Sequence, residues 1–135
     1  MEQKIAHLQM IQGVINRMAG NSFLIKGWSV TLVAALFALA AADTNPLFVY
    51  LSYFPSFAFW VLDAYFLRQE RLFRKLYDHV RGLSVSEIDF SMNTSAFVGA
   101  VDSQLKIAFS ETLRVFHGTV VATIVVVMVV LLIKQ

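Results

Sequence analysis

The chain has 135 residues, is 58% apolar with a mean hydropathy of +0.66, and only 15% of it is charged. Soluble domains carry about 45–50% apolar residues, so the composition argues against a soluble globular fold and for a membrane protein. A net charge of +2 is too small to imply a nucleic-acid partner. The absence of cysteine removes disulfide frameworks, thiolate metal sites and cysteine nucleophiles.

Residues 1–20 read as an amphipathic cytoplasmic helix. Ile5, Leu8, Ile11, Val14, Ile15 and Met18 recur at helical spacing, with Gln3, Gln9, Asn16 and Arg17 on the opposite face. Such a helix is expected to pack on a cytoplasmic stem of the same protein or a neighbouring subunit. A partner surface or a helix lying on the inner leaflet is the competing reading. Gly20-Asn21-Ser22 is a predicted break, with Asn21 or Ser22 as the next N-cap. The polar first segment and the long apolar run behind it do not resemble a cleaved signal peptide.

Three stretches approach the roughly 20 apolar residues that a helix needs to cross the hydrocarbon core: residues 22–42, 46–67 and 115–133. Trp28 suits the interfacial belt of the first span, and Pro55 predicts a bend in the second. Ala34, Ala38 and Ala42 form a small-residue stripe for helix packing in lipid, and Gly118 and Ala122 give a weaker one in the third span. Basic residues set the expected orientation. Lys4, Arg17 and Lys26 precede or enter the first span, and Arg68, Arg71, Arg74, Lys75, Arg81, Lys106 and Arg114 follow the second. The turn over 43–45 carries no cation. The positive-inside rule then gives an N-in, C-out topology, with Lys134-Gln135 outside.

Lys26 and Asp63 lie at similar depth near the cytoplasmic ends of two antiparallel spans. Ionisable groups within a span are costly and usually partnered. A membrane ion pair, within a chain or between subunits, is therefore one expectation. The other is separate snorkelling, with Asp63 met by Arg68 or by lipid amines. Beyond the second span, residues 68–82 continue as a stem helix: Leu72, Phe73, Leu76, Tyr77 and Val80 keep one apolar stripe, and Glu70 and Arg74 make a favourable i,i+4 pair. Gly82 is the predicted stop. The juxtamembrane cluster Arg68, Arg71, Arg74, Lys75 and Arg81 reads mainly as a topological signal, with anionic lipid or a nucleotide phosphate as the specific alternative.

Residues 83–101 read as a cytoplasmic loop packed on the stem, with Ile88, Phe90 and Met92 alternating as in an extended piece. A ligand loop is the alternative. Residues 102–114 are predicted as a cytoplasmic helix, capped by Asp102 or Ser103, that runs straight into the third span. His7, His79 and His117 stand apart from any metal-ligand spacing, and His117 reads as an interfacial polar group. No phosphate-binding glycine loop or GxSxG motif occurs, and Glu87 and Asp89 have no convergent partner. The expectation is therefore a protein that is not an enzyme, with no catalytic residue, metal site or cofactor.

The segments QMIQGVINRMAGNSFLIKGW, FWVLDAYFLRQERLFRKLYDHVR, IDFSMNT and FSETLRVFHG resemble a family of small, largely uncharacterised bacterial inner-membrane proteins. The layout of an N-terminal helix, two close spans and a cytoplasmic stem is also similar to two-span membrane effectors of antiphage and nucleotide-signalling systems. The third span has no counterpart in that layout. The fold expected is an all-α membrane protein: an amphipathic helix, then three transmembrane helices, the second extended into a cytoplasmic stem. The resembled family brings no established activity; the small size, the alanine face, the paired charges and the cytoplasmic stem lead to the expectation of a homo-oligomer in the bacterial cytoplasmic membrane that perturbs the bilayer or forms a pore or channel, as in antiviral defence. A scaffold or regulatory subunit docking a cytoplasmic protein is the alternative. Ser29, Thr31, Ser52, Ser56, Thr119 and Thr123 are the mild polar candidates for a pore lining, which would be narrow.

Overall fold

A computed structural model describes residues 1–43 and 45–134. Thr44, in the predicted 43–45 turn, and the terminal Gln135 lie outside the described residues. All regular structure among them is helical: α1 (Glu2–Asp43), α2 (Leu47–Leu51), α3 (Tyr53–Arg81), α4 (Gln104–Ala108) and α5 (Glu111–Lys134), with 3-10 turns at Val85–Glu87 and Ser95–Ala100. Three units are long and apolar enough to cross a membrane: α1, the 35-residue Leu47–Arg81 unit formed by α2 and α3, and α5.

The break predicted at Gly20-Asn21-Ser22 is absent. α1 runs unbroken for 42 residues, about 63 Å at 1.5 Å per residue. Its glycines meet no obstacle and need no special backbone angle. The cost of glycine in a helix is about 1 kcal/mol, which the antiparallel packing of α1 along α3 offsets. Ser22 therefore serves as a side chain in that packing instead of as a cap.

Between α2 and α3 the helix is interrupted at Ser52, three residues before Pro55. Proline has no amide hydrogen, and its ring crowds the carbonyl four residues back. That carbonyl belongs to Leu51, the last residue of α2. The Ser52 hydroxyl also donates to the Val49 carbonyl at 2.5 Å. α3 then continues to Gly82, which ends it in right-handed geometry with φ −84°.

The third unit differs from the continuous 102–114 helix predicted for it. Ser103 caps α4, its hydroxyl accepting from the Lys106 amide at 3.3 Å. The helix then stops at Phe109-Ser110 before α5 begins. The Ala108 carbonyl, which a continuous helix would offer to a following amide, instead accepts the Trp60 indole N–H at 2.7 Å. Gln104 reaches back to the Val61 carbonyl at 3.1 Å, and buried Ile107 packs with Ala64 and Leu113. α4 therefore lies beside residues 60–64 of α3, within the stretch predicted as the second span, and not out along the stem. Its Leu105 and Phe109 face outward, 71% and 55% exposed.

Three packed layers follow one another along the bundle. At the stem end, Ile11 and Ile15 of α1 meet Leu76 and Val80 of α3, with Leu8, Phe73, Tyr77, Met92 and Phe97 around them. At the far end, Val33 and Ala40 of α1, Val49 of α2, and Val120 and Ile124 of α5 form a second cluster. Between them is a polar layer. Segment 83–101 folds over the stem without forming a strand. Ser84 and Glu87 make a capping box. Lys4 of α1 donates to the Leu83 carbonyl at 2.9 Å, and His7 Nε2 donates to the Ser91 carbonyl at 3.1 Å. Phe90 holds φ 57°, and its ring packs on His7 at 5.3 Å. A non-glycine residue there costs about 1–2 kcal/mol, so the His7 contacts fix the loop against a local backbone preference.

Candidate functional site: a buried charge cluster joining three helices

The polar middle layer centres on Asp63. On α3, Asp63 sits one turn beyond Trp60 and faces α1 and α5. Lys26 Nζ lies 2.6 Å from Asp63 Oδ2, and His117 Nε2 lies 2.7 Å from the same oxygen. The Ser22 hydroxyl donates to the other carboxylate oxygen, Oδ1. Lys26 also donates to Ser22 at 2.9 Å. One carboxylate thus receives donors from α1 and from α5. Asp63 and His117 are fully buried, whereas the Lys26 side chain keeps 20% exposure.

The surrounding rings hold this geometry. His117 stacks on Trp60 with centroids 5.7 Å apart and meets Phe116 edge-on at 5.0 Å. Lys26 Nζ sits 5.9 Å from the centre of the Phe116 ring, within cation–π range. Trp60 is in turn fixed by its bond to Ala108, so α4 braces the ring that braces His117. Removing a carboxylate from water costs several kcal/mol even after relaxation. Donors from Lys26, Ser22 and His117 offset that cost.

The order of these groups bears on chemistry. A hydrolytic triad places histidine between the hydroxyl and the carboxylate, so that the imidazole can take the hydroxyl proton. Here the carboxylate stands between Ser22 and His117, so His117 is not placed to take the Ser22 proton. His117 Nδ1, Ser29 Oγ and Ser56 Oγ are buried without hydrogen-bond partners among the described residues. The arrangement can store and exchange ionic contacts between helices.

The other sequence-predicted residues are placed as follows. The small-residue stripe Ala34, Ala38 and Ala42 is exposed, and α1 packs instead through Val33 and Ala40. Ala122 is also exposed, and nothing lies within 4 Å of a Cβ added at Gly118. Neither stripe is a helix contact within the chain; in hydrocarbon, apolar character alone does not tell a packed face from a lipid-facing one. In the basic cluster, Arg74 pairs with Glu70 at 2.7 Å and Arg81 with Asp78 at 3.7 Å. Arg68 donates to the Asp102 carbonyl at 3.2 Å. Among the described residues, Arg71 and Lys75 have no hydrogen bond or ion pair. Of the polar pore candidates, Ser29, Ser52 and Ser56 are buried. Thr31, Thr119 and Thr123 are exposed and bond back to their own helices.

His117 is the member that sequence reading misplaced. Read as an interfacial polar group, it is fully buried within the bundle and opposite Asp63. A signal existed: Leu113, His117, Val120 and Ile124 fall on one helical stripe, and all four are buried. Compared with known proteins, the chain matches no family model, no curated protein and no solved structure.

Proposed function

We propose that this chain is a non-catalytic, multi-pass effector of the bacterial cytoplasmic membrane that self-associates and opens or perturbs the bilayer when its stem is displaced. The N-terminus and stem lie in the cytoplasm in this reading, because the basic residues concentrate at that end. The observation that carries it is the buried Lys26–Asp63–His117–Ser22 cluster. A passive anchor gains nothing from burying charge, whereas charge pairs that can change partners make a two-state element. α1 and α3 run without a break from the stem to this cluster, so a shift of the stem moves Lys26 relative to Asp63. The outward-facing Ala34, Ala38 and Ala42 leave a close-packing surface for a second copy. Docking of a cytoplasmic protein is the weaker reading, because Ile11 and the apolar stripe of the stem are already covered by one another and by segment 83–101.

The test is dye release from vesicles containing the purified protein, together with its subunit number in nanodiscs. The Asp63→Asn chain should assemble as the wild type does and release dye about tenfold faster, equivalent to losing about 1.4 kcal/mol of closing energy. A monomer in nanodiscs, or release no faster than from empty vesicles for both proteins, would overturn the proposal.

A further inference from the structure

A cavity of about 370 Å³ opens on the side of the stem, lined by Arg71, Arg74, Lys75, Asp78, Val101 and Asp102, among others. Its charges are not balanced. Arg74 is held by Glu70, while Asp78 and Asp102 are engaged by Arg81 and Lys106 at 3.7 and 3.5 Å. Arg71 and Lys75 are left facing the cavity without a partner among the described residues. They sit one helical turn apart on α3, as two cations spaced to hold one anion. The opposite wall is the chain at Ala100–Asp102, fixed by Arg68 on the Asp102 carbonyl. Ala100 and Val101 make that wall apolar.

Depth identifies the ligand. Arg71 lies about 12 Å along the helix axis from Asp63 and about 6 Å beyond the predicted end of the span at Leu67. The polar layer of a bilayer adds roughly 5–7 Å on each side of the hydrocarbon, so the Arg71 backbone lies at its outer edge, and Lys75, about 12 Å beyond Leu67, reaches back to it through its long side chain. The neighbouring α4 turns Leu105 and Phe109 outward at the adjoining depth, where they meet acyl chains. A phosphate placed between Arg71 and Lys75 would thus be carried by a molecule whose tails lie beside α4.

We propose that this cavity is a binding site for the headgroup of one anionic phospholipid. Arg71 and Lys75 contact the phosphate, and Val101 packs against the glycerol. The site stands independently of the gating reading, since binding is measured with no membrane opening. Phosphatidylglycerol, phosphatidylcholine and soluble glycerol phosphate are each titrated into the detergent-solubilised full chain, with bound copies counted by native mass spectrometry. The wild type should retain one phosphatidylglycerol in preference to phosphatidylcholine, and Arg71→Gln/Lys75→Gln should weaken it about 30-fold, from the usual contribution of two cations to anionic-lipid affinity. Arg17→Gln/Arg114→Gln removes the same charge from two other helices outside the cavity and should leave binding within about threefold. Helicity and thermal midpoint show that the variants are folded. Equal retention by Arg71→Gln/Lys75→Gln, or an equal loss in Arg17→Gln/Arg114→Gln, overturns the site. Glycerol phosphate binding as tightly as the lipid overturns the assignment to a membrane ligand.

Discussion

Replacing Lys26 with methionine should destabilise the fold more than replacing Asp63 with asparagine, although each substitution breaks the same ion pair. The asymmetry comes from the side chains. Asp63 is fully buried and short, so without Lys26 its carboxylate stays in the bundle with only His117 and Ser22 as donors. Breaking a buried pair from one side costs about 3–5 kcal/mol; with two donors remaining, about 3 kcal/mol is expected. Lys26 is 20% exposed and carries a four-carbon stem, so after Asp63→Asn its ammonium can reach the headgroups. That loss should be nearer about 1.5 kcal/mol, the lower end of the range for a hydrogen bond to a charged group. With both substitutions no charge remains buried, and the double variant should resemble Asp63→Asn alone. The resulting coupling of about 3 kcal/mol stands well above the roughly 0.5 kcal/mol scatter of independent sites. It also exceeds the roughly 0.6 kcal/mol average for interhelical hydrogen bonds in lipid. Reversible unfolding in mixed micelles of mild detergent and dodecyl sulfate measures all four free energies. Additive losses, or Asp63→Asn costing as much as Lys26→Met, would refute the reasoning.

Two further outcomes follow from neighbouring contacts. Trp60→Phe keeps a ring against His117 but frees the Ala108 carbonyl, and should cost about 1–2 kcal/mol, with faster amide exchange confined to 104–110. Unchanged exchange there would show that the indole bond does not hold the α4–α5 break. Ile11→Asp puts a charge into the stem cluster and should cost more than about 4 kcal/mol. Limited trypsin digestion should then cut faster at Arg74, Lys75 and Arg81, and an unchanged rate would mean that α1 does not clamp the stem.

Much of the architecture was legible because hydrocarbon imposes simple rules. Run length alone marks the three units long and apolar enough to cross a membrane, and Pro55 marks the interruption at Ser52. The i,i+4 spacing of Glu70 and Arg74 is enough to expect their contact. Lys26 and Asp63 could be matched in depth because a short turn joins their helices. His117 could not be placed in that way. Its place follows the stop at Phe109-Ser110, where the Ala108 carbonyl accepts a bond from Trp60 across the bundle and no proline or glycine marks the break. The face of α1 was equally hidden: Val33 and Ala40 pack while Ala34 and Ala38 do not, and every one of them is apolar. The inward path of α4 was missed for a related reason, since Gln104 and Ile107 reveal their roles only against residues 61–64.

The cluster around Asp63 also has an order in time. Lys26 and Ser22 precede Asp63 in the chain, and the first two crossing units are joined by a short turn. When the second unit enters the membrane during synthesis, its carboxylate meets an ammonium and a hydroxyl already in place. The hairpin can thus be electrically neutral before the third unit has been made. His117 comes last, on the most apolar helix, and docks against an oxygen that Lys26 already holds. The costliest charge in the protein therefore need not sit unaccompanied in lipid at any stage of insertion.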